Sequence, residues 1–226
     1  MNRILSLLAC IAITATANAQ LGKRPVTLGG GLEVGVPIGE FGDTFGKEVF
    51  GASGMLTIPM SVLPFDWGFD FAWGRMGGGS REVPINEEHL EATTGDLRVN
   101  SDIYGYHGLL RLKPFIGKVS PYVEGLVGLR QFTTRTQIKV DGMDQPYFEQ
   151  RNANEFIWSH GWAAGVQIAP SRMFYFELRA ERLNGGKVAY VDPGSIEIGP
   201  DGEVEYETLN SGVRVLNMHL GIGLRF

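Results

Sequence analysis

HLGIGLRF, residues 219–226, sets an apolar side chain at every second position and carries that alternation to a final phenylalanine. A little upstream the same period holds, with Leu216, Met218, Leu220, Ile222, Leu224 and Phe226 on one face. Asn217, His219, Gly221, Gly223 and Arg225 fall on the other. A period of two over this length specifies a strand with two unlike faces. Terminal residues ordinarily fray unless an element docks there. The pattern therefore predicts a last strand held to its end by a neighbour.

The opposite end has a different character. Arg3 gives a short positive region, residues 4–13 are largely apolar, and Ala17, Asn18 and Ala19 make a small-residue cleavage pattern. These features predict a secretory signal peptide over residues 1–19 and a mature chain of residues 20–226. A competing reading takes Leu7, Leu8, Ala9 and Cys10 as a lipoprotein box with Cys10 lipidated, which leaves a very short apolar region before the cut. Loss of the leader removes the single cysteine, and with it any disulfide, thiol nucleophile or thiolate metal ligand. Loss of Arg3 moves the net charge from −5 to −6, which argues against nucleic acid as a partner. No charge block or Pro/Ser-rich linker divides the mature chain, so one domain is expected. No apolar run after Ala19 approaches the roughly 20 residues of a membrane helix. Any crossing of a membrane would be made by strands.

Eight segments alternate as strands do, and no comparable amphipathic helix is present. They lie near residues 26–38, 50–62, 67–74, 102–113, 123–130, 158–168 and 174–181, with the terminal strand as the eighth. The connections alternate too: those after the second, fourth and sixth segments are short. Residues 75–101, 140–155 and 183–213 form long polar links, and the link after the first segment is intermediate. Short turns at one end and long loops at the other are the pattern of an outer-membrane barrel. An even strand number puts both termini at the short-turn, periplasmic side.

Parity does not say which face is outside; size does. One face is rich in Trp, Phe, Tyr, Leu, Ile and Val, the other in Gly, Ala and Ser with a few charges. Eight strands enclose only enough space for side chains, so the bulky face is expected outside, against lipid. A lipocalin-like barrel would reverse the two faces, and a soluble sandwich would pack the aromatics inside. Trp67, Tyr122, Phe174, Phe176 and Phe226 gather at short-turn ends, and Trp73, Tyr104, Phe132, Phe156 and Trp158 at long-loop ends. Two aromatic belts are expected there.

The signal peptide, the eight alternating segments, the stretch PYVEGLVGLR (residues 121–130) and the last phenylalanine resemble the small outer-membrane β-barrel superfamily of the OmpA/OmpX type. The resemblance covers essentially the whole mature chain. It implies an all-β fold, an eight-stranded antiparallel up-and-down transmembrane barrel in the outer membrane of a Gram-negative bacterium, among lipid and lipopolysaccharide. It further implies that Leu220, Ile222, Leu224 and Phe226 are an insertion signal read by the barrel-assembly machinery. Unlike two-domain members, the chain is expected to lack a periplasmic peptidoglycan-binding domain.

Inward positions carry Glu33, Asp70, His107, Arg111, Glu124, Arg130, Glu177, Arg179, Glu181, His219 and Arg225. Folding about Gly117 sets Arg111 across from Glu124, suited to a cross-strand ion pair. Confined charges must be paired or hydrated, which leaves two readings: a polar network that plugs the barrel, or a narrow pore for small ions or solutes.

The long loops are the better place for binding residues. Residues 196–207, IEIGPDGEVEYE, read as a hairpin with Ile196, Ile198, Val204 and Tyr206 on one face and an acidic surface that includes Glu203 and Glu205. Its edge could add a strand from an extracellular protein or matrix ligand, or be a solvated extension that contacts nothing. The spacing lacks the dense oxygen ligands of a calcium loop, so no metal and no cofactor is expected. Ser159 and His160 are adjacent and so face opposite ways, which disfavours a nucleophile–base pair and an enzyme. The expectation is a surface-interaction or envelope scaffold.

Overall fold

The computed structural model describes residues 24–61, 63–84, 94–140, 145–146, 148–191, 195, 197–198 and 204–226. The expected signal peptide, with Cys10, lies outside the described residues. Among the described residues ten strands and one short helix follow in order: β1 Thr27–Pro37, α1 Glu40–Thr44, β2 Val49–Pro59, β3 Phe65–Pro84, β4 Thr94–Leu112 and β5 Val119–Lys139. Then come β6 Phe148–Ile168, β7 Phe174–Val191, β8 Glu197–Ile198, β9 Val204–Glu205 and β10 Thr208–Arg225. Eight of the strands close an antiparallel barrel in the order β1-β10-β7-β6-β5-β4-β3-β2, and β8 and β9 pair separately.

The terminal strand is held as its alternation predicts. β10 pairs with β1 from Thr27↔Arg225 to Pro37↔Val215, and the Phe226 amide donates to the Val26 carbonyl at 2.9 Å. Along all eight strands the outward positions form a belt of exposed apolar side chains, with Leu28, Phe50, Phe69, Leu110, Val127, Trp162, Leu178 and Leu220 as one example from each. The inward positions are buried, and most of the charged ones expected there are found there.

Four features differ from the sequence reading. Tyr122 and Phe132, expected in the aromatic belts, point inward and are 3% and 1% exposed. They share parity with Glu124 and Arg130, and strict alternation carries them to the same side. The second strand ends at Pro59 rather than near Val62, and the Met60 amide instead donates across the turn to the Phe65 carbonyl at 2.8 Å. The link from β1 to β2 contains α1, five residues long and too short to show a helical period. Finally, much of what reads as polar loop is strand. β3 to β6 are 20, 19, 21 and 21 residues long, against 11 for β1 and β2. Residues 75–84 and 94–101 thus belong to one hairpin, with a bulge between Arg75 and Gly77 that turns Met76 inward.

Candidate functional site

The strands converge their inward charges on one another. Arg111 and Glu124 are register partners in the β4–β5 ladder and meet at 2.5 Å. The same guanidinium reaches Glu177 at 3.1 Å, the Met55 sulfur at 2.8 Å and the face of Tyr122 at 3.8 Å. Tyr122 donates its hydroxyl to Glu177 at 2.6 Å. Arg179 pairs with Asp70 at 3.1 Å, with Glu124 at 3.4 Å and, closer still, with Glu181, which also accepts from Asn217 at 2.9 Å. Towards the short-turn end, Lys113 donates to Gln167 at 2.7 Å and lies 3.6 Å from Asp66. Arg24 reaches Asp66 at 2.9 Å and donates to the carbonyls of Met60, Leu63 and Phe65. Each of these desolvated charges thus has a counter-charge, the condition for keeping ions in a confined space.

Of the residues expected in this network, Glu33, Arg130, His107, His219 and Arg225 stand at its margins. Arg225 lies 5.6 Å over the Tyr175 ring. Arg130 Nη1 and both ring nitrogens of His107 and His219 are buried with no protein group in hydrogen-bond reach. Glu33, His107, Arg130, Glu181 and Asn217 line a small internal cavity of about 30 Å³. That space suits a buried water, since it is polar and offers several partners. Tyr122, expected in an aromatic belt, also belongs to the network, as do Gln167, Lys113, Asp66 and Arg24, which were not among the residues expected there. For Tyr122 and Gln167 the signal was available, because parity sets them beside Glu124 and Glu177.

Above the cavity the lumen is capped by apolar packing. α1 inserts Phe41, which has no exposed surface, and Phe45 stacks on it at 5.4 Å. Tyr190 meets Phe41 edge-on at 5.5 Å, and Phe132 does so at 6.4 Å. Val49, Met76, Ile103, Ile157, Val188, Val213 and Val215 complete the cluster. The turns into and out of the helix need Gly39 and Gly46, with φ of 60° and 64°, a region that side chains with a Cβ avoid. The Gly212 amide donates to the Glu40 carboxylate at 3.2 Å, which ties α1 to β10.

Beyond this cap the two halves of the barrel part. β3 pairs with β4 out to Pro84↔Thr94, β4 with β5 to Asp96↔Lys139, and β5 with β6 to Ile138↔Phe148. The β6–β7 ladder stops at Ser159↔Gly185, and β2–β3 stops at Phe50↔Arg75. The result is a four-stranded wall whose inner side buries Leu97, Val99, Ser101, Thr134, Thr136 and Ile138. Its outer side carries ion pairs, Arg75 with Asp102 at 2.6 Å and Arg98 with Asp96 at 3.4 Å. Among the described residues no strand pairs with the β6 edge at residues 148–158 on the side away from β5.

Within the loop hairpin Ile198 stands opposite Val204 and Glu197 opposite Glu205, and Tyr206 is exposed just beyond. Ile196 and Glu203 lie outside the described residues. Ser159 faces inward, fully buried, while His160 faces outward, so the two side chains share no site.

No family model matches the chain, and no curated protein does. Solved structures are similar to it. The attachment invasion locus protein Ail of Yersinia pestis is 16% identical over 91% of this chain and 100% of its own, with a TM-score of 0.47. The outer membrane protein OprG from Pseudomonas aeruginosa is 15% identical over 92% and 98%, with a TM-score of 0.45. Neisserial surface protein A is 12% identical over 89% and 97%, with a TM-score of 0.44.

Proposed function

We propose that residues 1–19 direct export and that residues 20–226 form an outer-membrane barrel of a Gram-negative bacterium. Both termini lie in the periplasm and the four-stranded wall stands outside the cell. One observation carries the reading. The outward belt leaves Leu32 74%, Leu220 67% and Ile222 66% exposed while the lumen is already filled. A protein in water rarely exposes so continuous an apolar surface, and lipid, with lipopolysaccharide in the outer leaflet, is the surrounding that suits it. Leu220, Ile222, Leu224 and Phe226 then serve as the signal recognised by the assembly machinery.

The barrel acts as a scaffold for surface interaction, its lumen plugged by the charged network and α1. Strand addition at the free β6 edge, or at the hairpin of Ile196, Ile198, Glu203, Val204, Glu205 and Tyr206, would join it to an extracellular protein or matrix ligand. Cells displaying the protein are compared for adhesion to immobilised matrix proteins with cells displaying variants that lack residues 136–150 or residues 196–207. Loss of adhesion in either variant, with the barrel still inserted, is the expected result. Adhesion unchanged in both variants, or absent from the wild type, overturns the reading.

A further inference from the structure

Turn tips are ordinarily built from Gly, Pro, Asn, Asp and Ser, and two of the short turns of this barrel depart from that. β4 ends at Leu112 and β5 begins at Val119, and the turn between them exposes Phe115 and Ile116 side by side, at 59% and 52%. The turn from β6 to β7 exposes Met173 at 62%. These side chains continue the outward belt, which reaches the same end of the barrel at Val119, Ile168, Phe174 and Leu224.

Cations stand among them. Lys118 and Arg172 are exposed, and the ladder brings their turns together, since the Ala169 amide donates to the Lys118 carbonyl at 2.6 Å. Ser171 Oγ accepts from the amides of Met173 and Phe174, at 3.3 and 3.1 Å, and fixes the shape of the turn that carries Arg172. The Arg225 amide donates to the Met173 carbonyl at 2.8 Å, which sets a third, half-buried cation next along the rim. Among the described residues no carboxylate lies within ion-pair distance of these three side chains. Asp66, the acidic residue at this end, is buried and shared by Arg24 and Lys113. At the opposite end exposed Glu40, Asp43, Glu48 and Glu155 are interspersed with the cations.

The short-turn rim is thus apolar and cationic at once. A surface meant only for water needs no such apolar side chains, and one meant only for acyl chains needs no unpaired cations. The combination suits the boundary between the two, where apolar groups enter the acyl region and ammonium and guanidinium groups meet phosphate. Continuity with the belt argues for lipid rather than a periplasmic protein as the occupant.

We infer that the arc from Phe115 to Arg172 binds an acidic phospholipid of the leaflet on the short-turn side, its phosphate held by Lys118 and Arg172. This rests on the membrane reading and adds to it a headgroup preference and a place.

The test refolds residues 20–226 into vesicles of equimolar phosphatidylcholine and phosphatidylglycerol and identifies, by native mass spectrometry, the lipids the barrel retains. Wild type should retain phosphatidylglycerol in preference. Lys118→Gln and Arg172→Gln should each lower that preference about fivefold, the effect of one cation near a lipid surface. Phe115→Ser/Ile116→Ser should lower the number of lipids retained. Arg135→Gln/Lys139→Gln, on the extracellular wall, should leave the preference in place. Heat-modifiable mobility on gels reports whether each barrel is folded and inserted. A wild type that inserts into no vesicle overturns the membrane reading itself. An inserted wild type that retains both lipids equally overturns only the headgroup site. So does a full preference in Lys118→Gln/Arg172→Gln, or a preference lost in the wall variant instead.

Discussion

Arg111 and Glu124 stand opposite each other in the β4–β5 ladder and meet at 2.5 Å, where neither side chain keeps any exposed surface. A pair in that position is stabilising only as part of its surroundings, because both ions have lost their water. Glu177, Tyr122 and Arg179 complete those surroundings, so the pair is the centre of a network rather than an isolated bridge.

Removing one partner should therefore be costly. Arg111→Met leaves Glu177 buried without its cation and Glu124 with only the Arg179 guanidinium at 3.4 Å, and a loss of about 3–5 kcal/mol is expected. Arg111→Met/Glu124→Gln should recover part of it. Urea unfolding of the barrel in lipid vesicles, followed by tryptophan fluorescence, gives the four corners of the cycle. Equal stability of Arg111→Met and wild type would show that the network contributes nothing.

Tyr122→Phe isolates a smaller part of the same network. It deletes the hydroxyl that donates to Glu177 at 2.6 Å and leaves the ring against Arg111. The loss of one donor to a buried carboxylate should destabilise by about 1–3 kcal/mol. The same unfolding measurement reads it, and a change below the scatter of replicates would mean that another donor takes the place of the hydroxyl.

Gly128 is expected to tolerate no side chain. A Cβ built there would stand 1.9 Å from the Tyr106 carbonyl oxygen and 2.7 Å from the His107 Cα, both backbone atoms of the adjacent strand. Gly128→Ala must push β4 and β5 apart, at about 1–3 kcal/mol or more. Gly125→Ala is the control, since nothing lies within 4 Å of the corresponding position. Equal folding yields for the two variants would contradict the close approach.

The outward belt makes its own prediction. Leu220→Arg places a charge on a side chain that is 67% exposed. In water such a change is nearly neutral, whereas on a lipid-facing midplane it costs about 2–4 kcal/mol. Folding into vesicles and folding in detergent with a well-hydrated surface should separate the two cases. Normal insertion of this variant would count against lipid as the solvent of the belt.

Most of the barrel was legible because its outward and inward residues differ in bulk all the way along. Leu220 and Ile222 against His219 and Gly221 need no tertiary knowledge, and Arg111 opposite Glu124 follows from counting back from the turn. The extended wall was hidden by an inversion. In β4, Tyr104, Tyr106 and Leu110 face outward within the belt, but further along Leu97 and Val99 face inward while Arg98 and Asn100 face out. The alternation persists with its polarity reversed, and a search for an apolar outer face reads that stretch as loop. α1 was hidden by brevity, since Phe41 and Phe45 alone make one turn. Inward Tyr122 and Phe132 were obscured by the habit of assigning aromatics to a belt, although their parity already contradicted it.

β1 shows what such a barrel asks of its closing seam. With Gly29, Gly31 and Gly35 facing inward, β1 has little bulk on its inner face to distinguish one alignment from the next. At one end Arg24 is fastened to Asp66 and to three carbonyls of the β2–β3 turn. At the other, Phe41 is sunk in the aromatic cluster. The strand is strung like a wire between two pegs, and a slip of even one residue would have to pull a peg out. Its alignment is thus fixed from outside itself, and loosening either peg should let the seam, rather than the centre of the barrel, be the first part to lose order.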